Sequence, residues 1–261
     1  MIQHETNEYT IPRGRVYFDH FDATGALTGE VPFGNCPGVS VSISTTKVDH
    51  YSSQTGVDQK DASKVVRAER TGKISCDNIS LDNIARYYGS ESIETITQAA
   101  ASVPSETRKV RPGRIYQLGA TADDPVGARS VSAVSIKGAD DGELTEGEDY
   151  ALDASLGRLQ ILTGGSVADG EAIKISYTKA ARSWKRIRAG AIADIAGALR
   201  VIADHAAGTN RDHYMPSVKL TPSGDLPLIS DGTDWVSMEF ELEILTPESG
   251  TAIYCDNRPV A

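Results

Sequence analysis

Four Asp-His dipeptides are the residues of this sequence whose types best suit metal chemistry: Asp19-His20, Asp49-His50, Asp204-His205 and Asp212-His213. Carboxylate and imidazole groups together could hold zinc or manganese. Neighbouring residues of a β-strand point to opposite faces, however, so one dipeptide rarely gives two ligands to one ion. We interpret the four pairs as surface and turn residues and predict no metal site.

A stripe of three glutamates near the C-terminus is the second polar feature. Glu239, Glu241 and Glu243 alternate with apolar residues, which places their Cβ atoms on one strand face, about 6–7 Å apart along it. Like charges at this spacing repel each other, so the face must be wet. Two interpretations remain open: an ordinary solvent-facing surface, or an acidic wall that faces something anionic.

The sequence lacks the common catalytic and phosphate-binding motifs. It contains no G-x-x-x-x-G-K-[ST] loop, no G-x-S-x-G elbow and no H-E-x-x-H pair. With 26 Lys and Arg against 36 Asp and Glu, its formal net charge is −10, which disfavours binding DNA through the phosphates. We therefore predict neither an enzyme nor a cofactor-binding protein, and no catalytic residues.

Cysteine usage and hydropathy bear on the compartment. Cys36, Cys76 and Cys255 are widely spaced and odd in number, which favours a reducing environment. The N-terminus has neither a basic n-region nor an apolar h-region, and no apolar run is long enough for a membrane span. These patterns predict a soluble protein made in a cytosol, with no membrane-spanning segment.

The elements that must position these residues are mostly strands. Apolar and polar residues alternate over residues 39–44, 173–178 and 236–244, and turn signals such as Pro112-Gly113 and Asp231-Gly232 separate such segments. Alternation with period two is typical of antiparallel sheets that have one buried face. The sequence therefore predicts an all-β fold, mainly antiparallel, built as a β-sandwich or barrel.

Two segments carry helical signals. Residues 80–89 predict one short helix, with Ser80 as N-cap, an apolar face of Leu81, Ile84, Ala85 and Tyr88, and Gly89 as the stop. Residues 189–207 are rich in alanine and favour a helix by propensity alone, although the glycines within and after the segment oppose it.

A segment of different composition interrupts the strand pattern. Basic residues near 108–114 and 182–188 flank a Gly-rich acidic stretch, and residues 150–153 and 157–162 predict two strands joined by a turn. We predict a small β-module at 108–180 inserted into a discontinuous domain formed by 1–107 and 181–261.

An ordered set of segments along most of the chain resembles the major tail tube protein of long-tailed bacteriophages. The resemblance rests on the order of these segments rather than on any one of them. The segments are GRVYFD (14–19), PFGNCP (32–37), VSVSI (39–43), DHYSSQTG (49–56) with KD (60–61), DNISLDNIA (77–85), LRVIAD (199–204), GTNR (208–211) and PSVKLTPSG (216–224).

The resemblance implies a structural virion protein of the tail, assembled in the host bacterial cytoplasm. It implies a β-sandwich or barrel with one short flanking helix, hexameric rings stacked into a tube, other tail proteins at the tube ends, and DNA that passes through without specific binding. It also implies that the inserted module is immunoglobulin-like and on the tube exterior, and that residues 199–204 form a strand and turn. We follow the strand prediction there.

The resemblance also assigns roles to two sets of residues. Residues 44–64 form a long polar stretch, which on length alone would be an unusually long loop; the resemblance makes it a hairpin that reaches a neighbouring subunit or ring. The glutamate stripe Glu239, Glu241 and Glu243 becomes a candidate lining of the lumen. The inter-subunit arm residues are Asp49, His50, Tyr51, Ser52, Ser53, Gly56, Lys60 and Asp61.

Two alternatives remain open, of which the second belongs to another class of protein. The tube protein of a contractile secretion system has the same fold, but its chains are usually shorter and lack an inserted module. A monomeric β-sandwich binding module would be favoured by exposed aromatic platforms, yet aromatic residues make up only 6% of the chain.

Overall fold

The computed structural model describes residues 8–90, 92–190 and 195–258. Within these residues the strands pair mostly in antiparallel fashion, and there is one short helix. The predicted all-β, mainly antiparallel fold class is confirmed. The elements are β1 (Gly14–Phe21), β2 (Leu27–Gly34), β3 (Gly38–Ser52), β4 (Gln59–Cys76), α1 (Leu81–Tyr87), β5 (Ile93–Gln98), β6 (Ala101–Lys109), β7 (Ile115–Gln117), β8 (Val131–Lys137), β9 (Tyr150–Asp153), β10 (Arg158–Ile161), β11 (Ala172–Lys179), β12 (Arg182–Ile187), β13 (Ile195–Ala203), β14 (Arg211–Ser223), β15 (Met238–Ile244) and β16 (Tyr254–Asn257).

The chain divides into two compact units. The first combines Met1–Ile93 with Ile187–Ala261, and the second is Glu94–Arg186. The second unit is wider than the range 108–180 predicted for the inserted module. The difference arises because β6, whose sequence alternates weakly and contains a proline, pairs with β11 inside this unit, and because β5 and β12 pair with each other at its two ends.

One large open sheet organises the first unit. Its strand order is β2-β1-β13-β14-β15-β4-β3, with β16 paired to the remaining length of β14. The alternation of β15 buries Met238, Phe240, Leu242 and Ile244 against the core and leaves its glutamates exposed, as period two requires. In the described chain, β2 and β3 are the two edge strands of this path.

The helix α1 packs on the core of the first unit, though not by the face predicted for it. The Ser80 side chain caps it by accepting from Asn83 N, and Gly89 follows its end with φ +60°. Leu81 and Tyr88 are exposed, whereas the most buried helical residue is the polar Asn83. The predicted helix and its cap are confirmed, but the predicted apolar face is wrong in those two residues.

The central part of the alanine-rich segment is a strand, whereas residues 189–190 form a turn and residues 204–207 lie outside the named strands. Residues 195–203 form β13 between β1 and β14, so the helical interpretation is wrong there; residues 191–194 lie outside the described residues. A Cβ at Gly197 would lie 2.2 Å from the carbonyl oxygen of Asp19 and 2.6 Å from the ring of Phe18. Glycine at position 197 therefore allows the neighbouring strands to approach each other closely.

The second unit contains two three-stranded sheets, β6-β11-β8 and β7-β10-β9. Their buried side chains form a core separate from that of the first unit, including Leu118, Leu159, Ile173 and Ile175. The predicted strand–turn–strand at 150–162 is confirmed as β9 and β10. The strands β5 and β12, at the entry and exit of the unit, pair with each other.

Within the described residues, no helix is both long enough and apolar enough to cross a membrane.

Candidate assembly surfaces

A long two-stranded ribbon extends from the large sheet. The strand β15 pairs with β4 only along Thr71–Cys76, so in the described structure residues 59–70 pair with β3 alone. We call residues 43–70 the arm. The twelve residues that β4 contributes to the arm, 59–70, span about 40 Å at 3.3 Å per residue. The loop interpretation of residues 44–64 is wrong, because β3 continues to Ser52 and β4 begins at Gln59.

The arm residues singled out in the sequence lie together near its tip and pair with one another. The Lys60 ammonium lies 2.7 Å from one carboxylate oxygen of Asp49, and the Ser63 hydroxyl donates to the other at 2.6 Å. These two hydrogen bonds, that of Lys60 foremost, hold the pKa of Asp49 below its usual value. His50 Nδ1 lies 2.5 Å from a carboxylate oxygen of Asp61 on the opposite strand. Ser53 and Gly56 lie in the connecting turn.

Large apolar side chains of the arm remain uncovered. Ile43 is 63% exposed, Tyr51 is 54% exposed, and Val57 in the turn is 72% exposed. Val48, Val65 and Val66 are also exposed. Cross-strand ion pairs at such exposed positions each contribute only about 0–1 kcal/mol, and an isolated two-stranded ribbon is marginally stable at best. The arm therefore has the composition of a segment that a partner covers.

The glutamate stripe faces solvent, but two lysines flank it. Register places Lys73 of β4 beside Glu241 and Lys219 of β14 beside Glu243. The Lys73 ammonium is 4.0 Å from the Glu241 carboxylate, and both side chains are well exposed. Two of the three negative charges thus have a cation on the adjacent strand. The alternation within β15 predicts the solvent-facing side but not the two lysines, because it carries no information about which strands pair with β15.

The Asp-His dipeptides take structural roles in the first unit, where Asp204-His205 and Asp212-His213 lie on neighbouring segments and the other two pairs lie elsewhere. Asp19 accepts from the backbone N–H groups of Thr28 and Gly29, and Asp212 accepts from Ala203 N. The His205 ring contacts the Arg13 backbone. Within the described ranges, no cluster of three or more His, Cys, Asp or Glu side chains has a geometry that could hold a metal ion.

A groove on the first unit is a feature that sequence reasoning missed. It has a volume of about 880 Å³ and runs between β3 and the strands β1, β13, β14 and β16. Its walls are largely apolar, and its charged lining residues in the described chain are all basic. The lining includes Arg13, Val16, Val39, Val41, Val201, His205, Arg211, His213, Met215, Ile253 and Cys255. These residues come from distant segments of the chain, so no local pattern could have identified them.

Comparison with known families places the chain in one of them. A model of the family described as "Protein of unknown function UCP028589" matches residues 9–251. The chain belongs to this family. The match runs through both units and includes the arm, most of the groove and the glutamate stripe. No curated protein matches the sequence.

Proposed function

We propose that this protein is a structural subunit that assembles with copies of itself into stacked hexameric rings, forming the tail tube of a long-tailed bacteriophage. The observation that carries the proposal is the arm. It is about 40 Å of paired strand that extends beyond the part of β4 paired with β15, and it exposes Ile43, Tyr51 and Val57. The ordered resemblance to tail tube proteins supplies the kind of assembly.

The open sheet supports the same proposal. In the described residues, its edge strands β2 and β3 each have a neighbouring strand on one side, and β3 is 15 residues long. Soluble monomers usually shorten, cover or charge such edges, because an exposed strand pairs with other chains. A ring in which each subunit extends the sheet of the next would satisfy both edges.

The exposed glutamate stripe suits a conduit for DNA. In the proposed tube, Glu239, Glu241 and Glu243 line the lumen and repel the phosphates of passing DNA. Repulsion between solvated charges decays over about 10 Å at 0.1 M salt, so it acts only on DNA close to the wall. Lys73 and Lys219 reduce the charge of the wall without reversing it.

In the proposed assembly, the second unit lies on the outside of the tube, as the resemblance to tail tube proteins implies. The proposal gives the protein no catalytic role and no cofactor. It locates the protein in the virion tail after assembly in the bacterial cytoplasm, with other tail proteins at the tube ends.

Negative-stain electron microscopy of the purified protein tests the proposal. We expect rings or tubes with sixfold symmetry, increasing with protein concentration, together with large species in sedimentation velocity. A monodisperse monomer of 27.8 kDa at high concentration would contradict the proposal and favour a monomeric binding module. Immunogold labelling of phage particles from a producing host then separates a tail tube from a secretion-system tube.

A further inference from the structure

The connection between β14 and β15 is an exposed apolar loop. Residues 224–237 form a stretch of 14 residues without helix or strand. Loops of this length inside compact domains are uncommon and are usually functional or disordered. Within this one, Ile229 is 96% exposed and Trp235 is 94% exposed, and Leu228 is also largely exposed. We call residues 224–237 the Trp235 loop.

Both ends of the Trp235 loop are anchored on the first unit. The Tyr87 hydroxyl donates to the carbonyl of Gly224 at 2.7 Å, and Leu226 packs against the core. At the far end, Val236 and Ser237 are half-buried before β15 begins. The exposed apolar side chains lie between these two anchored ends.

The charge of the loop is one-sided. It contains Asp225, Asp231 and Asp234 and no Lys or Arg. A surface that binds the exposed Trp and Ile side chains of this loop, together with its carboxylates, has to be apolar and to carry positive charge.

The groove of the first unit has those two properties. Val39, Val201 and Met215 contribute apolar walls, and Arg13 contributes positive charge, whereas the charge of Arg211 is balanced by the Glu8 carboxylate. No acidic residue is among the described residues that line it. Arg211 pairs with Glu8 and Asn257 outside the groove lining, and Arg13 donates to the carbonyl of Pro12. A guanidinium beside an indole also gains a cation–π attraction.

We infer that the Trp235 loop of one copy of this chain docks into the groove of a second copy. The inference rests on the proposed self-assembly and adds the contact that joins neighbouring subunits. Because loop and groove are different surfaces, the contact is head-to-tail, the type that produces closed rings or continuing stacks rather than isolated two-fold dimers.

Site-directed crosslinking tests which surfaces meet. Thr233→Cys introduces a thiol into the exposed part of the loop while leaving Trp235 and the aspartates in place, and the groove already contains Cys255 and Cys36. With a short bismaleimide, we expect interchain products that mass spectrometry maps to 233–255 or 233–36. The matched control is Leu156→Cys, an exposed apolar position of the second unit. Products absent from Thr233→Cys, or formed equally by Leu156→Cys, would overturn the inference.

Substitutions test what the loop contributes. Trp235→Ser should weaken self-association about 30-fold, the effect of losing an interface hot spot, whereas Leu156→Ser should leave it unchanged. Asp234→Arg and Arg13→Glu should each weaken association, and their combination should recover part of the loss. Unchanged association of Trp235→Ser would overturn the inference.

The two proposals fail in different ways. If the wild-type protein forms no rings or tubes, the proposed function fails. If it assembles and Trp235→Ser assembles equally well with no 233–255 or 233–36 crosslink, only the docking inference fails.

Discussion

Asn83 connects α1 to the sheet of the first unit at the level of single hydrogen bonds. Its fully buried side-chain amide donates to the carbonyls of Phe33 at 2.7 Å and Asn78 at 2.8 Å. Its carbonyl oxygen accepts from the Arg86 guanidinium, which stacks on the Phe33 ring at 4.8 Å from the centroid. One side chain therefore satisfies buried groups from three segments.

Replacing Asn83 with Ala should destabilise the first unit. The substitution removes the three hydrogen bonds that join this side chain to Phe33, Asn78 and Arg86, each worth about 0.5–1.5 kcal/mol. The Phe33 and Asn78 carbonyls keep other donors. We expect the free energy of unfolding to fall by about 2–4 kcal/mol in urea titrations followed by circular dichroism. The matched control is Asn35→Ala, whose amide makes an exposed bond to Asp77 and should cost less than about 1 kcal/mol. Equal losses in the two variants would contradict this role for Asn83.

A second residue-scale cluster lies in the second unit. The Tyr177 hydroxyl and Gly119 N each donate to one oxygen of Glu106 at 2.9 Å, and Arg108 approaches the other oxygen at 2.9 Å. Burial, followed by the hydrogen bond to Glu106, raises the pKa of Tyr177 well above its ordinary value. The cluster therefore links the stability of this unit to alkaline pH.

The sign of that linkage follows from the raised pKa. The unfolded state loses the tyrosine proton first, near pH 10, so the stabilisation is complete below that pH and is lost as pH rises through the folded-state pKa. We expect the free energy of unfolding of the second unit to fall above pH 10, by up to about 1.4 kcal/mol per pH unit from this group. Urea titrations between pH 9 and 11 should show a shallower decline for Tyr177→Phe, and the wild-type slope for Tyr116→Phe. A wild-type slope in Tyr177→Phe would rule out this source.

At the scale of elements, removing the tip of the arm should separate folding from assembly. Deleting residues 52–59 removes the turn and the last pair of strand residues, Ser52 and Gln59, and leaves the sheet of the first unit complete. We expect a folded subunit whose free energy of unfolding changes by less than about 0.5 kcal/mol, as for exposed segments. Electron microscopy and sedimentation should show that it no longer polymerises. Normal tubes would contradict the role assigned to the arm.

The sequence predicts an element well when residues within that element determine its type and its ends. The alternation over β15 predicted both the strand and its wet glutamate face, and Ser80 and Gly89 predicted the limits of α1. The buried face of α1 was not predictable from hydropathy, because Asn83 is buried through hydrogen bonds to carbonyls on other segments.

The remaining misses also involve contacts between distant segments. Alanine propensity over β13 is overridden by pairing on both sides with β1 and β14. The arm is polar enough to suggest a loop, and only its register with the opposite strand shows it as paired. The groove could not be predicted either, since its basic and apolar residues are assembled from segments that no sequence period relates.

At the scale of the whole molecule, the proposed tail tube predicts how the charge of the glutamate stripe affects passing DNA. Changing Glu239, Glu241 and Glu243 to Lys should leave tubes intact but slow or trap DNA during ejection, because phosphates would then bind the wall. Ejection from phage particles can be timed with a DNA-binding dye at several salt concentrations. The matched control changes Glu143, Glu146 and Glu148 to Lys, an equal change in net charge within the second unit. Unchanged ejection in the first variant would mean that the stripe faces outward.

The pairing of β5 with β12 has a consequence for how such a chain can evolve. The polypeptide enters and leaves the second unit through neighbouring strands, and the Lys185 ammonium contacts the Thr95 hydroxyl across them at 2.7 Å. Nearby, the Gln98 amide ties the carbonyls of Arg129 and Ala180 together at the base of the unit. An element joined through such a stem can be lost, replaced or exchanged between lineages by a single genetic event, without changing the path of the remaining chain.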